Sequence, residues 1–256
     1  YSSGKSTLCL TWMEQGGQLI TDDAAIFDIA DHTVSSFGIP LRIRTSLLND
    51  GPSRLRDFAL ANAILRGQRL AYIRDPRHEA PPPGASYPFG GWIFLLRQNG
   101  AATAMAPVSP EEALRRIIWQ NFARSLQPSA LLAIMTTLAA DYPAWQLTYG
   151  ESVDAVPVLR ETLSAPIASR QANIAPVGDG TIQQAGAHRQ APNLTITETT
   201  AGLYVADDRN GRVYFFNPSA GVMWNLALAA ASEDEAVDIL HELYPVQDEA
   251  TLGADY

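Results

Sequence analysis

Apolar residues dominate the stretch Thr7-Leu8-Cys9-Leu10-Thr11-Trp12-Met13, and Gly16-Gly17 follows shortly after. That pattern predicts a helix over Lys5–Gln15 closed by the glycine pair, because glycine readily takes the left-handed conformation in which helices end. Next, Gln18-Leu19-Ile20-Thr21 predicts a short strand that runs into an acidic pair. Further on, Trp92–Leu96 is an unbroken apolar run between glycine-containing turns, as a buried strand would be. The segment "SPEEALRRIIWQNFARSL" predicts a capped helix. Ser109 is its N-cap, Pro110 stands in its first turn, and Glu111-Glu112 lie near the positive end of its dipole. Strands and helices mixed in this way predict an α/β or α+β domain over residues 1–164.

From 165 to 192 the chain is rich in Ala, Gly, Pro and Gln and has neither helical nor strand periodicity, which predicts a linker. A different pattern occupies 193–256. Leu194–Glu198, Gly202–Ala206 and Arg212–Phe216 alternate apolar and polar residues, and Asp207-Asp208-Arg209-Asn210-Gly211 forms the turn before the last of them. This predicts a β-meander. Amphipathic helices over Ser219–Ala230 and Glu233–Tyr244 come next, and a third begins near Asp248 and is cut by the chain end at Tyr256.

Composition narrows the class. The 256 residues are 46% hydrophobic, ordinary for a globular core, and no run of about 18 apolar residues suggests a membrane span. A single Cys9 excludes an internal disulfide and fits a reducing, cytoplasmic setting, with the thiol as a small core residue. The net charge is −9, and residues 193–256 carry Arg209 and Arg212 against eleven carboxylates, so the excess acid lies there. Neither part has the basic footprint of a nucleic-acid binder.

Lys5 is the only lysine, the other seventeen basic residues being arginine. It stands in Ser3-Gly4-Lys5-Ser6-Thr7, the second half of the phosphate-binding pattern G-x-x-x-x-G-K-[ST], whose first glycine would fall two positions before Tyr1. In such loops backbone N–H groups and a helix N-terminus hold phosphate oxygens, the lysine bridges phosphates as a compact charge, and the hydroxyl meets Mg²⁺. A forked guanidinium does not fit that place, which explains one lysine among arginines. The plainer alternative is a helix N-terminus that happens to carry these residues. Shortly after the helix, Leu19-Ile20-Thr21-Asp22-Asp23 offers two carboxylates that can divide proton acceptance from metal orientation. Arg42 and Arg44 of "PLRIRTSL" have the reach for a phosphate, but a solvated edge strand accounts for them better.

The order Gly4-Lys5-Ser6-Thr7, helix, Gly17, "LITDD" resembles the HPr kinase-related group of P-loop kinases. The later "WIFLLRQNG", "VSPEEALRRIIWQNF" and "YPAWQLTYGES" are similar in order to the rest of that domain, so the resemblance covers about residues 1–165 and is strongest over 1–27. It implies a fold like the kinase domain of phosphoenolpyruvate carboxykinase, with ATP and Mg²⁺ as cofactors. It also implies Asp22 as the proton acceptor and Asp23 as its partner at the metal, beside Ser6. Thr7 stands where true HPr kinases usually have Glu, and their later Glu-Ile-Arg-Gly signature is not found.

Residues 193–256 resemble the PqqD family of peptide-recognition domains, through "RVYFFN", "NPSAGVMWNL" and "SEDEAVDIL". The resemblance implies a winged-helix-like domain that takes a leader peptide as an added strand along Arg212, Val213, Tyr214, Phe215 and Phe216. Asn217 would close the strand-to-helix turn and Trp224 would pin the first helix to the sheet. Acidic positions Asp238, Glu242, Asp248 and Glu249 would favour a basic leader. The pairing of the two most resembles that of lasso-peptide biosynthesis. The expected function is an ATP-dependent kinase acting on a Ser or Thr hydroxyl of a ribosomally made precursor peptide, in the company of other peptide-modifying enzymes. The alternatives are a peptide escort with a degenerate or regulatory nucleotide site, and a kinase for a protein or small molecule.

Overall fold

The structure is a computed structural model that describes residues 4–78, 81–120, 126–164, 193–229 and 233–243. The expected linker over 165–192 and the expected helix near Asp248 lie outside the described residues, as does Ser3.

In chain order the elements begin with α1 (Lys5–Glu14), β1 (Ile26–Asp28), β2 (Thr33–Ser35), β3 (Leu41–Arg44), α2 (Thr45–Asp50) and α3 (Ser53–Ala61). There follow β4 (Ala63–Arg66), β5 (Leu70–Ile73), β6 (Ser86–Pro88), β7 (Trp92–Arg97) and β8 (Ala104–Pro107). Next come α4 (Pro110–Gln120), α5 (Pro128–Asp141), β9 (Ala144–Tyr149) and α6 (Ser152–Ser164). The last are β10 (Leu194–Thr199), β11 (Gly202–Asp207), β12 (Arg212–Phe216), α7 (Pro218–Ala229) and α8 (Glu233–Leu243). The fold is mixed α/β, with four three-stranded sheets among the described residues, consistent with the α+β expectation.

Two compact units divide the chain: Tyr1–Val108 with Tyr142–Ser169, and Ser109–Asp141 with Arg170–Tyr256. The helices α4 and α5 therefore group with the C-terminal strands, although they precede residue 164.

In the first unit α1 is buried on two sides. Leu10 and Met13 pack with Leu41, Ile43 and Ile73 of the β3-β5-β4 sheet. Leu8 packs with Leu147 and Tyr149 of β9 and Val156 of α6, where β9 runs parallel to β7 and antiparallel to β8. Burial on both sides explains an apolar run without a polar stripe. The C-terminal end of α1 is tied by Arg77, whose guanidinium donates to the carbonyls of Glu14 and Met13, and by Arg160, which donates to the Gln15 carbonyl at 2.7 Å. Such bonds satisfy the orphan carbonyls of a helix end. Asp75 orients Arg77, and that hydrogen bond holds the Asp75 carboxyl below its usual range.

The expected strand at Gln18–Thr21 does not form. Single side-chain bonds hold it instead: Trp12 Nε1 donates to the Gln18 carbonyl at 3.1 Å and Ser36 Oγ to the Ile20 carbonyl at 2.6 Å. An apolar stretch becomes a strand only where a ladder partner runs beside it.

In the second unit the meander is antiparallel throughout, in the order β10-β11-β12. Leu203, Tyr204, Val205 and Ala206 of the central strand are all buried, and both α5 and α7 pack on β11. Continuous burial, rather than alternation, is what a strand covered on both faces requires. Asp208 joins the meander to α5, accepting from Ser129 N–H at 2.8 Å and from Ser129 Oγ at 2.6 Å. Asn217 Oδ1 accepts from Ala220 N–H at 2.9 Å and caps α7, and Trp224 stacks on Phe216 with ring centroids 5.5 Å apart. Among the described residues no helix is long and apolar enough to cross a membrane.

Candidate functional site

The N-terminal end of α1 opens on Gly4, at φ 77° and ψ 8°. That left-handed conformation favours glycine, and space demands it too: a Cβ there would lie 2.5 Å from Tyr149 Oη and 3.2 Å from Arg97 Cδ. Lys5, Ser6 and Thr7 form the first turn, which contains no acidic residue and no side-chain cap. The positive end of the helix dipole is thus left for another group to meet.

Both aspartates reach this turn. Lys5 Nζ donates to Asp23 Oδ1 at 2.6 Å and lies 3.9 Å from Asp22 Oδ1. The two carboxylates differ in their surroundings. Asp22 has a side chain only 2% exposed; its Oδ2 accepts the Arg42 backbone N–H at 2.9 Å, while its buried Oδ1, beside Lys5, accepts no hydrogen bond among the described residues. A buried carboxylate oxygen without a donor is costly, so this atom marks a place where a hydroxyl or a cation would be welcome. Asp23 is exposed, adopts a positive φ of 60°, and also pairs with the Arg42 guanidinium. Hydrogen bonding from Lys5, and then the charges of Lys5 and Arg42, hold its carboxyl below the usual range.

Arg42 is on an edge strand and exposed, as the sequence suggests, yet β3 delivers both its backbone and its guanidinium to the aspartate pair. Sequence reasoning missed Arg97 and Tyr149. They end β7 and β9 and face each other in the parallel register, a relation no local pattern announces. Cys9 is half-buried next to this cluster; burial, with the negative charge of Asp22, pushes its thiol up to about 11, which leaves it protonated and inert at neutral pH.

Ser6, Asp22 and Asp23 are hard oxygen donors of the kind Mg²⁺ uses alongside water and phosphate. Among the described residues no group of three or more His, Cys, Asp or Glu stands ready to hold a metal by itself. A separate pocket of about 50 Å³, lined by Met13, Leu19, Ile20, Leu41, Ile73 and His78 among others, includes none of the site residues. That volume suits water rather than a nucleotide.

The expected peptide-receiving residues Arg212, Val213, Tyr214, Phe215 and Phe216 form β12, which pairs only with β11 among the described residues and so leaves one edge open. Tyr214 is 38% exposed, while Phe215 packs on Tyr204 and Phe216 on Trp224. Asp238 and Glu242 are exposed on α8; Asp248 and Glu249 lie outside the described residues. No known protein family, curated protein or solved structure matches the chain.

Proposed function

We propose that the chain is an ATP-dependent kinase that phosphorylates a Ser or Thr hydroxyl of a precursor peptide, with the nucleotide at the Gly4–Thr7 turn and the peptide's leader along β12. The two halves would be an HPr kinase-like domain and a PqqD-like module, acting in a pathway of the lasso-peptide kind with other modifying enzymes. The observation that carries this reading is the meeting of the sole lysine, at a helix N-terminus, with two carboxylates from a distant loop.

When bound, Mg-ATP supplies the transferable phosphoryl group. Gly4 would leave its backbone open to phosphate oxygens, Lys5 would neutralise them, and Ser6 and Asp23 would be the oxygen donors for Mg²⁺. Asp22 Oδ1, which accepts no hydrogen bond among the described residues, would take the proton of the attacking hydroxyl as the γ-phosphoryl passes to its oxygen and ADP leaves. Arg42 holds both aspartates in place through its N–H and its guanidinium.

The deciding experiment incubates the full chain and its Lys5→Arg variant with Mg-ATP and a precursor carrying a basic leader, then reads phosphopeptide by mass spectrometry. Wild type should yield phosphopeptide, and the variant about a hundredfold less, because the fork does not fit the loop even though the charge is kept. Equal product from both would end the assignment. The rival escort reading draws on the open edge of β12, which owes nothing to the nucleotide site. It predicts leader binding with no phosphopeptide from either protein.

A further inference from the structure

Three cationic side chains surround the start of α1, and they are not equivalent. Lys5 is paired with Asp23 and Arg42 with the same carboxylate. Arg97 makes no ion pair among the described residues; its one hydrogen bond runs from Nε to the Gly150 carbonyl, at 3.3 Å. Its Cδ nevertheless stands within 3.2 Å of where a Gly4 Cβ would be. Arg97 is exposed, so water screens its charge and the repulsion from the positive end of the helix dipole is small, but an anion placed there would be drawn by both. The buried Oδ1 of Asp22 accepts no hydrogen bond among the described residues and is paired only with Lys5 Nζ at 3.9 Å, so the same turn has room for a hydroxyl or cation that would accompany a phosphate.

We propose that Arg97 is a phosphate-binding residue of the Gly4 turn, contacting oligophosphate oxygens of the nucleotide. The Nε bond to Gly150 tethers the fork across the end of β9 and leaves both Nη groups for oxygen, the bidentate geometry for which arginine is suited. Lys5 supplies a point charge at the turn, and Arg97 adds direction. The parallel register that pairs Arg97 with Tyr149 brings both to Gly4, whose Cβ position would lie 2.5 Å from the Tyr149 hydroxyl and 3.2 Å from Arg97 Cδ. This assignment rests on the nucleotide reading above.

The test measures Mg-ATP and tripolyphosphate affinity for the full chain and for Arg97→Gln, Arg97→Lys and Lys5→Ala, by displacement of a fluorescent nucleotide, with circular dichroism as the fold control. Arg97→Gln should weaken both ligands about tenfold, and Arg97→Lys should recover part of that loss. The KM for ATP should rise by the same factor with little change in kcat. An Arg97→Gln protein that binds ATP within twofold of wild type, while Lys5→Ala loses it, overturns the role of Arg97 and leaves the nucleotide reading standing. A penalty seen with ATP and absent with tripolyphosphate also overturns it. No binding of either ligand by wild type removes the nucleotide reading itself, and the role of Arg97 with it.

Discussion

Lys5 Nζ stands 2.6 Å from Asp23 Oδ1, eighteen positions further along the chain, in a contact that ties the first turn of α1 to the loop after it. The bond lowers the Asp23 carboxyl below its usual range, with the Lys5 and Arg42 charges acting in the same sense. A depressed folded-state value means the pair stabilises the fold fully above the ordinary carboxylate value of about 4 and is lost as pH falls through the folded value. By carbon-detected NMR, Asp23 should titrate below that ordinary value, and Lys5→Met should move its midpoint upward. A midpoint that Lys5→Met leaves in place would show that the contact does not govern Asp23.

The two aspartates should separate by substitution. Asp22→Asn should lower kcat for phosphate transfer about a thousandfold and leave Mg-ATP binding nearly intact, since an amide accepts no proton. Asp23→Asn should weaken Mg-ATP binding as well as transfer, because it removes a carboxylate at the metal. Asparagine tolerates the φ of 60° at this position, so the effect is one of charge and not of backbone strain. Single-turnover kinetics beside calorimetry distinguishes the pair; an Asp22→Asn protein that phosphorylates peptide at the normal rate is not missing its base.

Gly4→Ala probes the cradle. A positive φ alone costs alanine about 1 kcal/mol, and the added Cβ would meet Tyr149 Oη at 2.5 Å. With the oxygen gone, the nearest ring atom, Cζ, is at 3.5 Å, an ordinary contact. Urea unfolding of the single variants and of Gly4→Ala/Tyr149→Phe should therefore show a favourable coupling of about 1 kcal/mol or more, while the backbone part of the loss persists. Strictly additive effects would mean that the phenol yields without cost.

What the sequence made legible followed from local physics. The helix α1, the Ser109 cap with Glu112 N–H donating to its Oγ at 3.3 Å, and the meander with its Asp207–Gly211 turn are each written in neighbouring residues. The strand expected at Gln18–Thr21 failed because apolar pattern marks burial, and a ladder needs a partner that the pattern does not name. Arg97 and Tyr149 were hidden for a related reason, since only the parallel register of β7 on β9 brings them to Gly4. The union of α5 with the meander rests on Ser129 and Asp208, 79 positions apart, beyond the reach of any local signal.

That union shapes the test of leader capture. Residues 193–256 alone would lose α5, one of the two helices that pack on β11, and leave Asp208 without Ser129, so the full chain is the proper material. If a leader adds to the sheet at β12, the backbone N–H and C=O groups of its open edge supply the affinity. Val213→Pro removes one donor and bends the strand, and should weaken a basic leader's micromolar binding at least tenfold by fluorescence anisotropy. Asp208→Ala is the control: it should lower the unfolding midpoint by an amount worth about 1 kcal/mol, through loss of the bonds to Ser129, while leaving leader affinity within a factor of about two. Under the kinase reading Val213→Pro raises KM for the whole precursor far more than it lowers kcat, because leader contacts are equal in ground and transition states. A folded Val213→Pro protein that binds and phosphorylates like wild type would exclude this edge as the place of capture.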